Sequence, residues 1–265
     1  MMEYRSPLAP DANSGTVALV TGGGTGLGRA TALELARSGA YLVVCGRRPE
    51  PLAATEEAIA SLGGQCLAVA ADVREPEQVD ALVEAALERF GRIDVLVNNA
   101  GGQFIAKAED ISPNGWRAVH RLNVDAVWYL TRLVATRSML PREHGLVVFI
   151  GLSPRRALPG MAHGIAARAA VEALANTLAL EWGPRGVRTV TVTPGVIRTE
   201  GLDGYDAEAI AGWEREVPLR RLGAPEEVGS LIAFLASPGG AYITGATILV
   251  DGGIDAGALS RMEQR

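Results

Sequence analysis

The run Thr16-Val17-Ala18-Leu19-Val20-Thr21 leads directly into Gly22-Gly23-Gly24-Thr25-Gly26-Leu27-Gly28, and residues 26–38 then carry a helical pattern closed by Gly39. A short unbroken apolar stretch bounded by turn residues reads as a strand buried on both faces. The glycines let the chain turn tightly and bring its backbone close to a ligand. The helix that follows presents free N–H groups and the positive end of its dipole. Strand, glycine-rich turn and helix in that order form a cradle for a diphosphate at the first crossover of an α/β sheet.

The same alternation runs to the end of the chain. Strand-like runs recur at residues 41–45, 66–70, 93–97, 146–150, 187–192 and 247–250. Helical patterns at residues 49–62, 76–90, 116–140, 165–182 and 225–236 separate them. Such spacing implies βαβ units with right-handed crossovers, hence a parallel sheet. The fold expected is α/β: a single-domain, doubly wound parallel sheet of Rossmann type with helices on both faces. It spans residues 16–265 behind an N-terminal extension of residues 1–15.

Composition narrows the function. The chain is 48% hydrophobic and 21% charged, enough for a sizeable core. A net charge of −5 and 5% aromatic residues argue against nucleic acid as a partner. No apolar run reaches the ~18 residues of a membrane span. The opening stretch MMEYRSPLAPDANSGT has no apolar leader segment, so a cytoplasmic location is expected. Cys45 and Cys66 both lie in apolar runs, which leaves no disulfide framework and no four-ligand zinc site. No metal-binding His/Glu spacing of the HExxH kind occurs. His120 and His144 read as surface residues. The partner expected is a small molecule.

The second strand chooses the nucleotide. Its end reads Val44-Cys45-Gly46-Arg47-Arg48. A carboxylate at that place accepts a hydrogen bond from the ribose 2′-hydroxyl of NAD and would repel a 2′-phosphate. Two guanidiniums do the reverse, because arginine can grip a phosphate bidentately. NADP(H) is therefore the expected cofactor, the alternative being that Arg47 and Arg48 only begin a solvated helix.

Further stretches carry a family resemblance. They are Asn98-Asn99-Ala100-Gly101 after the fourth strand, Asn123 within RLNVDA, Pro194-Gly195-Val196-Ile197-Arg198-Thr199 after the sixth, and Ile243-Thr244-Gly245 with Val250-Asp251-Gly252-Gly253 near the end. Together with TGGGTGLG they resemble the short-chain dehydrogenase/reductase family over essentially the whole chain. The resemblance implies that residues Gly22, Gly23, Gly24, Thr25, Gly26, Leu27 and Gly28 form the diphosphate loop. It implies that Asp72 and Val73 flank the adenine, and that Asn99, Ala100 and Gly101 line the ribose. Pro194, Gly195, Ile197 and Thr199 would form the nicotinamide side, with Ile197 and Thr199 positioning its carboxamide. It also implies a homo-oligomer, a tetramer or dimer, with the last strands packed together.

The usual active site of that family is absent. Its pattern is a Ser, then Tyr-x-x-x-Lys about thirteen residues later, with an upstream Asn. Here the only lysine is Lys107, and no tyrosine lies between Tyr129 and Tyr205. On the family pattern Gly164 stands where Tyr belongs and Arg168 where Lys belongs. Gly151 or Leu152 falls at the Ser position, with Ser153 just beyond. Asn123 is retained. The closer resemblance is to the peroxisomal trans-2-enoyl-CoA and 2,4-dienoyl-CoA reductases. Ala100-Gly101-Gly102-Gln103-Phe104, Ile111-Ser112 with Gly115-Trp116, and Ala162-His163-Gly164-Ile165-Ala166-Ala167-Arg168-Ala169 carry it. So do Leu178-Ala179-Leu180-Glu181-Trp182, Pro225-Glu226-Glu227-Val228 and Leu8-Ala9-Pro10. The later Tyr-x-x-x-Lys assigned in the trans-2-enoyl-CoA reductases falls here on Glu172 and Asn176.

This departure selects among chemistries. Ketone reduction needs a proton donor at the oxygen in the transition state, an effect of about 10²–10⁴-fold. Hydride addition to a double bond conjugated to a thioester needs chiefly a donor for the enolate oxygen. The catalytic candidates are Asn123, Ser153, His163 and Arg168. Arg168 would hold the ribose in place of lysine, and histidine suits proton transfer near neutral pH. Each has a plainer reading: Asn123 as a tie between helices, Ser153 as a turn residue, His163 as a helix-start residue. Arg155 and Arg156 would meet the phosphates of an acyl-CoA-like substrate, or else form a solvated loop. Residues 201–222 resemble a mobile substrate lid.

The expected activity is NADPH-dependent reduction of an activated, enoyl-thioester-like double bond. The alternatives are an atypical ketone or 3-oxoacyl reductase in a biosynthetic pathway, and an NADP-binding homologue without catalysis.

Overall fold

A computed structural model describes residues 6–153 and 157–256. Seven parallel strands form one sheet in the order β3-β2-β1-β4-β5-β6-β7. They are β1 Val17–Thr21, β2 Tyr41–Gly46, β3 Cys66–Ala70, β4 Val95–Asn98, β5 Gly145–Ile150, β6 Val187–Pro194 and β7 Ala246–Val250. The helices are α1 Gly26–Arg37, α2 Pro49–Ser61, α3 Pro76–Phe90, α4 Pro113–His120, α5 Ala126–Val134, α6 Ala162–Trp182, α7 Ala207–Glu216 and α8 Pro225–Ala236.

The central strands are apolar runs because both faces are covered. On one face Leu19, Val43, Leu96 and Val147 pack with Val79 and Leu82 of α3, Leu130 of α5 and Val171 of α6. On the other, Val20, Val44, Val97 and Val148 meet Leu35 of α1, Leu52 and Ile59 of α2 and Ile232 of α8. This is a doubly wound α/β domain, as the alternation of runs implies. Parallel pairing brings the carboxyl ends of all strands to one edge. The strand order reverses between β1 and β4, and a crevice opens there.

Three local features differ from the sequence pattern. The helix expected over residues 116–140 starts earlier, at Pro113, where the Ser112 side chain accepts from the Gly115 amide at 3.0 Å. It is also interrupted by two π turns, Arg121–Asp125 and Ala135–Met139. Apolar spacing does not reveal one inserted residue in a long helix. The helix expected from Ile165 begins at Ala162. The segment read as a lid contains α7, capped by Asp206, whose carboxylate accepts from the Ala209 amide at 2.7 Å. Among the described residues no helix is long and apolar enough to cross a membrane.

Candidate nucleotide and active site

A cleft of about 860 Å³ lies along the carboxyl edge. The glycine-rich turn forms its floor. Gly22 adopts φ +66°, a conformation in which a side chain would be strained. A Cβ on Gly28 would strike the Gly22 carbonyl and the Asn99 side chain, so the start of α1 lies flat on the turn. Gly23 stands behind it against Val44.

The turn is tied to the end of β4. Asn99 Nδ2 donates to the Thr21 carbonyl at 2.7 Å. The Thr21 hydroxyl accepts from the amides of Asn99 and Ala100 at 3.0 and 2.9 Å and donates to the Val97 carbonyl at 3.2 Å. Asn99 thus holds the cradle's shape through its side chain, while Ala100 and Gly101 border the cleft.

At the end of the cleft beside β2, Arg47 and Arg48 are exposed at the wall. Among the described residues neither forms an ion pair. Asp72 is held by a third arginine that the sequence reading missed. Arg74 Nε donates to its two oxygens at 2.9 and 3.1 Å, and the Arg74 amide donates at 3.0 Å. Hydrogen bonding from Arg74 draws the Asp72 carboxyl down to about 2. The clue was present, since Arg74 stands two residues beyond Asp72 and is well placed to bond it.

Across the crevice, Gly195, Ile197 and Thr199 line the other wall beyond Pro194, the last residue of β6. Glu200 also lines the cleft, and its Oε2 accepts from the Gly26 amide at 3.1 Å.

Two catalytic candidates converge on Gly101. A Cβ there would collide with the Arg168 guanidinium and stand 2.8 Å from Asn123 Oδ1. Arg168 Nη1 donates to the Ile150 carbonyl at 2.6 Å, and it has no ion-pair partner among the described residues. Burial lowers its pKa to about 10, so it remains a cation at neutral pH. Asn123 sits in the first π turn. Its Nδ2 donates to the carbonyls of Gly102 and Val119, both at 2.8 Å, and its Oδ1 accepts from the Gly102 amide at 3.3 Å. Asn123 therefore clamps the loop after β4 to the helix.

The other two candidates have different surroundings. The Ser153 hydroxyl donates to Asp251 Oδ2 at 2.6 Å, and its amide donates to the Pro194 carbonyl at 3.0 Å. These bonds run toward the end of β7 and not to Asn123 or Arg168. Burial raises the Asp251 carboxyl, but the hydrogen bonds from Ser153 and the Asp255 and Gly253 amides outweigh it and leave the pKa below the ordinary value. His163 is fully buried at the start of α6, and neither ring nitrogen has a hydrogen-bond partner among the described residues. The Phe104 ring meets it edge-on with centroids 4.2 Å apart. Arg155 and Arg156 lie outside the described residues.

Tyr129 and Tyr205 stand elsewhere. Tyr129 donates to Asp80 at 3.0 Å, and Tyr205 packs edge-on against Trp213 in the lid segment. Gly164 occupies the first turn of α6 with Gln103 beside it. Burial pushes the thiols of Cys45 and Cys66 up to about 12, which leaves both as neutral packing groups.

Residues 22–255 match a family model described as Enoyl-(Acyl carrier protein) reductase. A probable 2,4-dienoyl-CoA reductase of Bacillus subtilis (strain 168) is 38% identical over 240 residues, covering 89% of this chain and 94% of that one. A 3-oxoacyl-[acyl-carrier-protein] reductase of Synechocystis is 40% identical over 243 residues, covering 90% and 96%. The solved citronellol catabolism dehydrogenase of Pseudomonas aeruginosa PAO1 superposes with a TM-score of 0.85 at 39% identity, covering 95% of this chain and 100% of that one.

Proposed function

Since this chain belongs to the short-chain dehydrogenase/reductase family of oxidoreductases, we propose that it uses NADP(H) to reduce an activated carbon–carbon double bond of enoyl-thioester type. The residues fit the cofactor. The turn from Gly22 to Leu27 borders the cleft where a diphosphate would lie, and Arg47 and Arg48, exposed and without an ion pair among the described residues, border it where a 2′-phosphate would lie. Bound there, NADPH supplies a hydride.

One observation carries the choice of substrate. Where the family's phenol stands this chain has Gly164, and what converges on Gly101 instead is a partly buried guanidinium, without an ion pair among the described residues, beside an amide. A guanidinium is a fixed donor that keeps its proton at neutral pH. It can stabilise negative charge gathering on a thioester oxygen, but it is a poor proton source for an alkoxide. Arg168 therefore suits conjugate reduction better than ketone reduction. His163, the residue before Gly164 and an imidazole without a hydrogen-bond partner among the described residues, is the candidate to protonate the α-carbon. The Bacillus subtilis relative, named as a probable 2,4-dienoyl-CoA reductase, agrees with this reading.

The test is turnover of NADPH with crotonyl-CoA, 2,4-hexadienoyl-CoA and acetoacetyl-CoA, followed by the loss of reduced-nicotinamide absorbance. The reading expects the first two to be reduced and the ketone to be slow. Preferential reduction of acetoacetyl-CoA would favour the second reading, a 3-oxoacyl reductase, which the Synechocystis relative supports.

The assembly reading is a homo-oligomer. Among the described residues β7 pairs only with β6, while Leu180, Tyr242 and Leu249 are exposed. Light scattering on the purified protein tests this, and a monomer would reject it.

A further inference from the structure

The N-terminus of α1 already holds an anion, and that anion belongs to the protein. Thr25 makes no side-chain cap, and the first turn of α1 has no acidic residue of its own. The Gly26 amide instead donates to Glu200 Oε2 at 3.1 Å. The Thr199 methyl group sits 3.5 Å from where a Cβ on Gly26 would stand, so the strap after β6 crosses directly over the glycine-rich turn. Glu200 is exposed and has no ion-pair partner among the described residues.

The rest of the strap is anchored independently. Arg198 donates to Glu214 of α7 at 2.7 Å, and Arg221 donates to Glu227 of α8 at 2.6 and 2.7 Å. The Leu219 amide donates to the Gly252 carbonyl at 3.2 Å. Release of Glu200 therefore needs only the short turn Glu200–Leu202 to shift, with both flanks held.

Building on the nucleotide reading above, we propose that Glu200 is a tethered competitor for the diphosphate of the cofactor. Its carboxylate latches the strap over the cradle and must leave when the nucleotide enters. One N–H cannot serve two anions at full strength, and a carboxylate left beside a diphosphate repels it. The latch thus sets the nucleotide affinity below what the cradle alone would give. It also couples nucleotide entry to the position of the substrate-side segment that begins at Thr199.

The experiment titrates NADPH into the wild-type protein, Glu200→Gln and Glu200→Ala, reading the dissociation constant by calorimetry and the association rate by stopped-flow fluorescence. Gln keeps a neutral acceptor of nearly the same shape, and Ala removes the acceptor altogether. Both variants should bind NADPH more tightly, by about tenfold, chiefly through faster association. Inorganic pyrophosphate, which lacks any nucleoside contact, should gain in parallel as a competitor of NADPH. The gain should shrink as salt is raised, because an exposed carboxylate is screened. Since Glu200 is exposed, the melting temperature of the variants without nucleotide reports whether folding is intact. Unchanged or weaker NADPH binding by well-folded Gln and Ala variants overturns the latch while leaving the nucleotide reading standing. Absence of NADPH binding in all three proteins overturns both.

Discussion

Arg168 donates a 2.6 Å hydrogen bond to the Ile150 carbonyl at the very end of β5, and that bond presents its guanidinium to the bare backbone of Gly101. The charge is paid for by no carboxylate among the described residues. A partly desolvated cation without a counter-ion is costly to keep. Its retention is most simply explained by an anion that arrives with cofactor or substrate.

Removing Arg168 should therefore harm chemistry more than stability. Arg168→Met should lower kcat/KM by about 10²–10³-fold, the scale of one lost preorganised donor. Its thermal stability should hold or rise, since a desolvated charge is gone. Arg168→Lys should recover part of the rate. Gly101→Ala should mimic the loss by pushing the guanidinium aside. Steady-state kinetics beside thermal melts checks all three, and full activity in Arg168→Met would remove it from the site.

At the other end of the cleft, Arg47 should govern the choice of nucleotide. Arg47→Asp replaces an exposed cation with a charge that repels a 2′-phosphate. NADPH binding should weaken by about 10–100-fold, the range of one hydrogen bond to a charged group, while NADH binding changes little. Calorimetric titration with both nucleotides decides it. Equal losses would mean that Arg47 serves the fold and not the phosphate.

Arg74 should act through Asp72. If the bidentate grip of Arg74 orients Asp72 at the adenine end, Arg74→Ala should weaken both nucleotides by a similar factor. Arg74→Lys should rescue poorly, because an ammonium lacks the fork geometry. A selective loss of NADPH alone would instead assign Arg74 to the phosphate.

How much of this was readable beforehand follows from what each feature depends on. Val17–Thr21, the glycines and α1 are legible because strand burial and tight turning are properties of consecutive residues. The missing phenol is legible because it is a residue type at a place in a pattern. The π turn that carries Asn123 inward to Gly102 is not, since it depends on how a helix seats against a loop far along the chain. Neither is the bond from Ser153 to Asp251, which joins residues 98 positions apart. Glu200 at the start of α1 is hidden for the same reason, with 174 positions between the partners.

His163 separates stability from function. Its two ring nitrogens are buried without partners among the described residues, a burden of about 1–3 kcal/mol for each unmet group. His163→Leu fills similar space against Phe104 with no polar atom. The variant should melt about 2–4 °C higher for each kcal/mol regained and lose turnover by about 10²-fold. Lower stability with unchanged turnover would make His163 a packing residue.

Asp94 governs the acid limit of the fold. Its carboxylate accepts from the Val17 amide at 2.9 Å and from Arg92 at 3.0 Å, with Arg142 as a third donor, so it pins the starts of β1 and β4 together. Burial raises its pKa, but those three donors outweigh burial and hold it below the ordinary carboxylate value. A carboxyl depressed in the folded state contributes stability that is fully present above its unfolded pKa of about 3.9. That contribution fades as pH falls below this value toward the folded pKa. Asp94→Asn should lower the unfolding free energy at pH 7 by about 1–3 kcal/mol, since the arginines keep partial access to water. The gap between variant and wild type should narrow in acid as the wild-type carboxyl takes up its proton. Urea titrations from neutral pH down to the acid transition measure that gap directly, and a gap that stays constant would deny Asp94 this role.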